Sequence, residues 1–312
     1  MGRWFKHLAA AAALAFVAAC GDWGDDDPSP PGTVVQQTQR DTRLSILAEA
    51  VAAADLTETL SGAGPYTVFA PSDAAFGALL AELGLTKAQL LADKALLAEV
   101  LTYHVVPGTV PSSQVPVGEA ITTVQGGIFK VERVGSGLEI IDGRNRNAGI
   151  TDVDVAATNG VVHVIDKVLL PADKTIVQTA QALPDFSILV EAVAAAGLVD
   201  ALSAAGPMTV FAPTNAAFAD LLAELGLTKE QLFADNALLT WVLTYHVVDG
   251  RVLEANVPVG VPITTLEGDT LSVSSELAIT DQRARVAGIT ATDVLASNGV
   301  IHVVDKVLLP SP

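Results

Sequence analysis

Residues 67–76 read TVFAPSDAAF, and residues 209–218 read TVFAPTNAAF. The first half of each stretch is rich in β-branched and aromatic residues, so it predicts a strand that stops at the proline. Ser72, like Thr214 in the second stretch, then stands where the N-cap of a helix accepts a backbone hydrogen bond. The same transition from strand to helix is therefore predicted twice, 142 residues apart.

The sequence around these two stretches is one module written twice. Residues 33–126 align with residues 175–268 at a constant offset of 142, and 60 of the 94 positions are identical. The match resumes at an offset of 139, where residues 142–171 align with residues 281–310 and 21 of 30 positions are identical. A repeat of this length far exceeds the roughly 20–50 residues of solenoid repeats, so each copy is predicted to be a domain with its own core.

The predicted domains are residues 33–171 and residues 175–310, joined by the three-residue linker 172–174. Each is long enough to bury an independent core. Duplication also favours a function that works in two copies over a single catalytic site shared between dissimilar halves.

The first 32 residues predict export and anchoring. Arg3 and Lys6 precede a short apolar run, which is typical of a secretory signal peptide over residues 1–19. The run ends in Val-Ala-Ala-Cys, which resembles a bacterial lipobox, and Cys20 is the only cysteine of the chain. The resemblance implies lipidation of Cys20, and acyl chains tether a protein to a membrane without spanning it. Because Gly21 follows, the resemblance implies the outer membrane if the host is Gram-negative.

Composition narrows the classes of partner. Residues 20–32 are rich in Asp and Pro and predict a disordered tether.

The net charge of the chain is −18, and removal of residues 1–19 makes it about −20. The long-range electrostatic field of so acidic a protein disfavours nucleic acid as a partner. Without a second cysteine, the two modules hold together by packing and not by disulfides.

Hydrophobic spacing predicts an α+β fold. Apolar residues form one helical stripe over residues 44–51 and again over residues 186–193. Thr86 and Gln89 have capping-box spacing, which predicts another helix start, as do residues 228–231. The sheet is predicted to be predominantly antiparallel. In the first copy the predicted strands are 121–124, 128–134, 138–141, 150–155 and 161–169.

Three motifs in each copy together resemble the fasciclin, or FAS1, family. Besides the TVFAP stretches, residues 159–171 read NGVVHVIDKVLLP and residues 298–310 read NGVIHVVDKVLLP, and a Tyr-His pair lies between the two motifs in each copy. The resemblance covers about 275 of the 312 residues. It implies two tandem β-wedge domains with flanking helices, in a family used for cell adhesion and extracellular contacts. It implies no cofactor and no catalytic activity.

The two Tyr-His pairs have two interpretations. His104 follows Val100 and Leu101 on the apolar face of its predicted helix, which favours a buried, hydrogen-bonded histidine. The resemblance implies instead that the Tyr-His region takes part in contacts with adhesion receptors. The partner-binding candidates of this region are Tyr103, His104, Tyr245 and His246.

A second candidate contact segment precedes the Asn-Gly of the last motif, at residues 152–156 and 291–295. The family resemblance implies a short acidic-apolar contact site here, and its central aspartate corresponds to Asp154 and Asp293. Neither copy has the Glu-Pro-Asp order of the integrin-binding version, so integrin binding is not carried over. The other interpretation is that Asp154 and Asp293 end strands and accept hydrogen bonds from turn amides.

Other chemistry is sparsely represented. No HExxH spacing, phosphate-binding glycine loop or GxSxG elbow occurs, so neither a metal site nor an enzyme is predicted. His163 and His302 lie in apolar strand runs and are predicted to be core residues. The repeated arginine pairs, Arg144 with Arg146 and their copies, are predicted to make local ion pairs in solvated loops.

These observations predict a lipid-anchored, non-catalytic module for adhesion or interaction at the cell envelope, with a protein, matrix or cell-surface ligand as its partner. If both copies contact a multivalent surface, the tethering of one to the other produces avidity. The alternative function is a carrier that holds an apolar small molecule, such as a lipid or pigment, between the helices and the wedge.

Overall fold

The structure is a computed structural model that describes residues 31–312. The predicted signal peptide, Cys20 and most of the predicted tether lie outside the described residues. In the first copy the helices and strands are α1 (Val34–Arg40), α2 (Ser45–Ala53), α3 (Thr57–Ser61), β1 (Tyr66–Pro71), α4 (Asp73–Leu83), α5 (Lys87–Ala92), α6 (Lys94–Tyr103), β2 (Val105–Pro107), β3 (Ala120–Thr122), β4 (Ile128–Val134), β5 (Gly137–Ile141), β6 (Asn147–Ala157) and β7 (Gly160–Ile165).

The second copy repeats every one of these elements in the same order. Its helices and strands are α7 (Ile176–Gln181), α8 (Ser187–Ala195), α9 (Val199–Ser203), β8 (Met208–Pro213), α10 (Asn215–Leu225), α11 (Lys229–Ala234), α12 (Asn236–Tyr245), β9 (Val247–Asp249), β10 (Ile263–Thr264), β11 (Thr270–Val273), β12 (Ala278–Thr280), β13 (Val286–Ala296) and β14 (Gly299–Val304).

Each copy forms one seven-stranded sheet. The strand order is β2-β1-β7-β6-β5-β4-β3 in the first copy and β9-β8-β14-β13-β12-β11-β10 in the second. Among the described strands, β1 pairs with β7 and β8 with β14 in parallel, while the other neighbours are antiparallel. The predicted α+β class with a mainly antiparallel sheet is confirmed. The TVFAP strand lies beside the strand that ends the module, because the helices and remaining strands between them form the long crossover that parallel pairing requires.

The sheet has an apolar core on both faces, because successive side chains of β1 point to opposite sides. Val68 packs with Leu47, Phe76 and Leu97 beneath the helices. Phe69 faces the inside of the wedge and packs edge to face on Phe129, with the ring centroids 5.1 Å apart. The second copy has the same two layers.

Local signals in the sequence account for the helix ends. The hydroxyls of Ser72 and Thr214 accept hydrogen bonds from the backbone of the third helical residue, as an N-cap does. The capping boxes at Thr86 and Thr228 are both formed. Helix α4 ends at Gly84 with a left-handed φ of 64°, a conformation that glycine adopts without a Cβ clash.

Two strand predictions need correction. The strand predicted over 161–169 ends at Ile165, and beyond it the Leu169 amide bonds to His104 at the end of α6. The strand predicted over 150–155 is longer, at Asn147–Ala157, and it contains register shifts against β7. These bulges hide the alternation of a regular strand, so the pattern in the sequence underestimates its length.

Candidate functional site

The histidine of each Tyr-His pair is buried and joins two parts of the framework. His104 caps the end of α6, where its Nδ1 donates to the Val100 carbonyl oxygen at 2.7 Å. Its Nε2 accepts from the Leu169 amide at 2.8 Å. His246 makes the equivalent bonds to Val242 and Leu308. Burial lowers the pKa of both histidines to about 4, so they remain neutral at pH 7.

The two tyrosines hold the wedge together from inside. The hydroxyl of Tyr103 donates to the Ile128 carbonyl at 2.5 Å and accepts from the Gly143 amide at 2.8 Å. Burial raises the pKa of Tyr103 well above its ordinary value. Tyr245 donates to the Thr270 carbonyl at 2.9 Å. All four Tyr-His residues are at most 2% exposed, so their side chains do not reach a partner in this conformation. The interpretation of His104 as a buried core histidine agrees with this geometry.

The first acidic segment, residues 152–156, is an exposed bulge on β6, and we refer to it as the first bulge. Asp154 has a φ of 61°, and its carboxylate accepts hydrogen bonds from the backbone and side chain of Ser112, at 2.8 Å and 2.5 Å. These bonds lower the pKa of Asp154. The side chain of Val153 points into solvent at 46% exposure, and Asp152 pairs with Arg43 at 2.6 Å. The first bulge thus presents acidic and apolar groups together.

The second acidic segment, residues 291–295, is the equivalent bulge on β13, and we refer to it as the second bulge. Asp293 accepts from the Glu254 amide at 2.8 Å, which repeats the contact of Asp154 with Ser112. Its surroundings differ, because Asp293 is only 4% exposed and its carboxylate lies 3.1 Å from the ammonium of Lys130, in the first copy. Both aspartates do accept from turn amides, as one interpretation predicted, but they lie inside long strands and not at strand ends.

The contact between the copies, the domain junction, covers the second bulge. Asn145 of the first copy donates to the Leu295 carbonyl at 3.0 Å and accepts from the Leu295 amide at 2.7 Å. Ile128 packs in a buried cluster with side chains of the second copy. The residues of the junction are Ile128, Lys130, Asn145, Leu253, Asp293, Leu295 and Val300.

A buried lysine lies between two carboxylates at this junction. The side chain of Lys130 is 5% exposed and lies between Glu132, at 2.6 Å, and Asp293. Burial opposes the charge of Lys130, but Glu132 and Asp293 outweigh burial and raise the pKa of the lysine. The linker also contributes, since Asp173 pairs with Arg144 at 3.1 Å and the Lys174 carbonyl accepts from the Ser297 amide. The structure therefore fixes the two copies against each other.

Sequence reasoning singled out both acidic segments, without their bulged conformation, and missed the junction. The junction residues do differ between the copies: Lys130 corresponds to Ser272 by strand register, Asn145 to Ala284, and Leu295 to Ala156. Positions where otherwise similar copies diverge were the available signal for a surface used in one copy alone.

The remaining predictions concern histidines, arginines and metals. His163 and His302 are buried and hydrogen-bonded to backbone groups, as predicted for core residues. The predicted ion pairs form at Arg144, Arg146 and Arg285. Among the described residues, Arg283 forms none and donates instead to the Pro310 carbonyl. Within residues 31–312, no group of three or more His, Cys, Asp or Glu side chains is placed to hold a metal ion. In the same range, no helix is both long and apolar enough to cross a membrane.

Comparison with known proteins identifies the fold. The family model described as "Fasciclin domain" matches residues 42–171 and 184–310. The transforming growth factor-beta-induced protein ig-h3 of Sus scrofa is 32% identical over 259 residues, which cover 82% of this chain and 36% of that protein. The chain thus spans about a third of the length of this relative.

Two further similar proteins have surface or adhesion roles in their names. The cell surface glycolipoprotein MPB83 of Mycobacterium bovis is 33% identical over 165 residues, covering 49% of this chain and 70% of that protein. A solved FAS1 domain pair from the insect cell adhesion molecule Fasciclin I covers 88% of this chain and 95% of its own, with 20% identity and a TM-score of 0.44. With both copies matched by the family model, the chain belongs to the fasciclin family and carries two tandem FAS1 domains.

Proposed function

We propose that the chain is a lipid-anchored, non-catalytic adhesion or interaction module of the cell envelope, and that its first bulge contacts the external partner. Its relatives include a protein named as a cell surface glycolipoprotein. The domains are residues 33–171 and 175–310, nine residues longer at each start than the family matches. Helices α1 and α7 occupy these additional residues and pack in the cores of their copies, which supports the longer boundaries.

One observation carries the proposal about the contact surface. The second bulge already makes a protein contact within this chain. The first bulge is the same element with the same central aspartate, and within residues 31–312 no domain covers it. Asp154, Asp152 and Val153 are accessible there. Because Lys130 meets Asp293 in the internal contact, we infer an external partner that brings a Lys or Arg beside an apolar side chain to Asp154.

In this proposal the two copies do not bind a partner together, so the duplication does not serve avidity. Asp293 has its partner inside the chain, so the second copy does not offer this surface to another molecule. The second copy covers its own bulge by its contact with the first copy and leaves the first bulge exposed. Contacts made by the surroundings of Tyr103, His104, Tyr245 and His246 remain a separate proposal, in which these side chains shape the surface from below.

The adhesion proposal is tested with cells that display the full chain. The measurement is their attachment to surfaces coated with fibronectin, collagen or laminin, and to cells of the same strain. Val153→Glu should reduce attachment severalfold, because it places a further charge on the apolar part of the bulge. Val134→Glu is the matched control, since Val134 is also exposed, at 55%, but lies at the end of β4.

Attachment through an acidic bulge should also weaken between 0.05 and 0.5 M NaCl, because salt screens exposed charges over roughly 10 Å at 0.1 M. If Val153→Glu and Asp154→Ala cells attach to every surface as the parent cells do, the bulge is not the contact. Absence of attachment by the parent cells to all of them would argue against adhesion to these surfaces as a whole.

The anchor is tested separately by fractionation. Cys20→Ser should abolish incorporation of labelled palmitate and move the protein from the membrane to the soluble fraction. Incorporation of the label by the Cys20→Ser protein would contradict lipidation at this residue. Fractionation of inner and outer membranes then tests the proposed outer-membrane location in a Gram-negative host.

A further inference from the structure

Each copy contains an apolar pocket between its helices. In the first copy it lies among α4, α5 and α6 and has a volume of about 260 Å³; in the second copy the volume is about 250 Å³. Representative lining residues of the second pocket are Phe218, Leu221, Leu225, Leu239, Val242 and Arg283. This pocket is distinct from the bulges and from the domain junction.

The lining is the same in both copies. All eleven residues around the first pocket have an identical residue at the equivalent position of the second, although the aligned copies as a whole differ at about a third of positions. A smaller pair of cavities, beneath α1 and α7, lacks this identity: Val34 is replaced by Ile176, and Thr38 by Ala180. The lining of the smaller cavities thus differs between the copies, as core packing alone permits. The lining of the larger pockets is the same at every position.

The mouth of each pocket is open and carries a leucine. Leu83 and Leu225 are both 41% exposed, so each presents part of its side chain to solvent at the pocket. An exposed leucine contributes little to the fold in water, whereas it gains contacts when an apolar molecule enters the pocket. The repeated exposure therefore favours a ligand at this position.

An arginine stands at each mouth. In the first copy, the guanidinium of Arg144 is paired with Asp173 at 3.1 Å. The position of Asp173 corresponds to Pro312 in the second copy. There the Nε of Arg283 donates to the Pro310 carbonyl at 3.0 Å, and within residues 31–312 no carboxylate lies within ion-pairing distance of its guanidinium. The second pocket therefore combines an apolar interior with a cation that has no acidic partner in the described part of the chain.

We propose that these pockets bind a small amphiphile with one anionic group, with its apolar part among the leucines and its anion on the arginine, and that the second pocket binds it more tightly. An apolar cavity of about 150 Å³ holds benzene, so 250–260 Å³ fits roughly ten non-hydrogen atoms. Octanoate has this size and charge. The binding is independent of the contact at the first bulge.

The experiment is a titration of the full chain with octanoate, followed by NMR of ¹³C-labelled leucine methyl groups. Saturable shifts are expected at Leu225 at lower octanoate concentration than at Leu83. Arg283→Gln should weaken binding at Leu225 about tenfold, which is the loss expected for one charge-assisted hydrogen bond. The same variant should leave the binding of neutral 1-octanol unchanged, and this separates loss of charge from loss of the pocket.

The first copy provides the reciprocal test. Asp173→Asn frees the guanidinium of Arg144 and should strengthen octanoate binding at Leu83, with no change at Leu225. Unchanged melting temperatures show that the variants fold. The proposal is overturned if octanoate produces no saturable shift at either leucine, or if Arg283→Gln and Asp173→Asn both leave octanoate binding as it was. The variant Val153→Glu should bind octanoate normally, so failure of the adhesion proposal is distinguishable from failure of this one.

Discussion

Asp154 and Asp293 occupy the same position in two copies of one fold, yet their surroundings are opposite. Each has a left-handed φ, near 60°, and each accepts a hydrogen bond from the turn that follows its β2 or β9 strand. Asp154 faces solvent, whereas Asp293 lies against Lys130 and is almost fully buried. The local conformation is therefore a property of the module, and exposure is a property of the assembled pair.

The difference shows how a duplicated domain becomes two unequal parts. The copies share their framework and diverge where they touch: Ser272 and Ala284 replace Lys130 and Asn145 in the second copy, and Ala156 replaces Leu295 in the first. Within residues 31–312, the divergence leaves one bulge covered and the other exposed.

Substitution of Asp293 should have the largest effect on the difference in stability between the two bulges. Asp293→Asn leaves Lys130 buried with only Glu132 as its partner, so the free energy of unfolding should fall by about 3 kcal/mol. Asp154→Asn should cost less than about 1 kcal/mol, because that carboxylate is exposed. Urea unfolding followed by the fluorescence of Trp241, in the second copy, measures the loss there, and circular dichroism follows both copies.

A control separates the charge from the packing at this position. The double variant Lys130→Met with Asp293→Leu replaces the buried pair by apolar groups and should regain most of the lost stability. Equal losses for Asp293→Asn and Asp154→Asn would contradict the distinction between the bulges.

The framework should respond to pH equally in both copies. The pKa of His104 and of His246 is about 4 in the folded chain, below the ordinary 6.5 that applies on unfolding. The unfolded chain therefore takes up protons that the folded chain does not. The free energy of unfolding is therefore at its full value, as far as these histidines are concerned, above pH 6.5. It decreases as the pH falls towards 4, by about 3 kcal/mol per histidine.

The measurement is the urea midpoint between pH 7.5 and 4. His104→Gln should remove part of the pH dependence, and the further change His246→Gln should remove about as much again. A double variant with the pH dependence of the parent chain would show that other groups are responsible.

A smaller effect is expected at Asn145. Asn145→Ala removes both hydrogen bonds to Leu295 and leaves that backbone unpaired, which should cost about 2 kcal/mol at the junction. Hydrogen exchange at the Leu295 amide should accelerate correspondingly. Asn147→Ala is the matched control, because Asn147 makes one exposed hydrogen bond to Glu139. Similar exchange at Leu295 in both variants would show that Asn145 does not hold the junction.

The smallest effect concerns the turn that replaces Asn145 in the second copy. Ala284 has a φ of 57°, where an L-residue with a Cβ is strained, so Ala284→Gly should raise the free energy of unfolding by about 1 kcal/mol. Ala291→Gly, in an exposed part of β13, should instead lower it by about 0.5 to 1 kcal/mol. If both changes are destabilising, strain at Ala284 is not significant.

Much of the candidate site follows from local sequence. The burial of His104 and His246 was predictable because they follow apolar residues at helical spacing, and one hydrogen bond of each is to a residue four positions earlier. Their second hydrogen bonds, to Leu169 and Leu308, span 65 and 62 positions and were not predictable from local sequence. The bulges at Asp154 and Asp293 were found as segments, while their place inside long strands was not. A bulge interrupts the alternation on which strand prediction depends.

The sequence by itself determined the duplication, the family, the order of helices and strands and the residues that cap them, because these depend on spacing within one copy. The tertiary structure alone decided which acidic bulge is covered and which is free. The contacts responsible join residues 163 and 150 positions apart, Lys130 with Asp293 and Asn145 with Leu295. Such contacts depend on how two folded surfaces meet, and local periodicity carries no information about that arrangement.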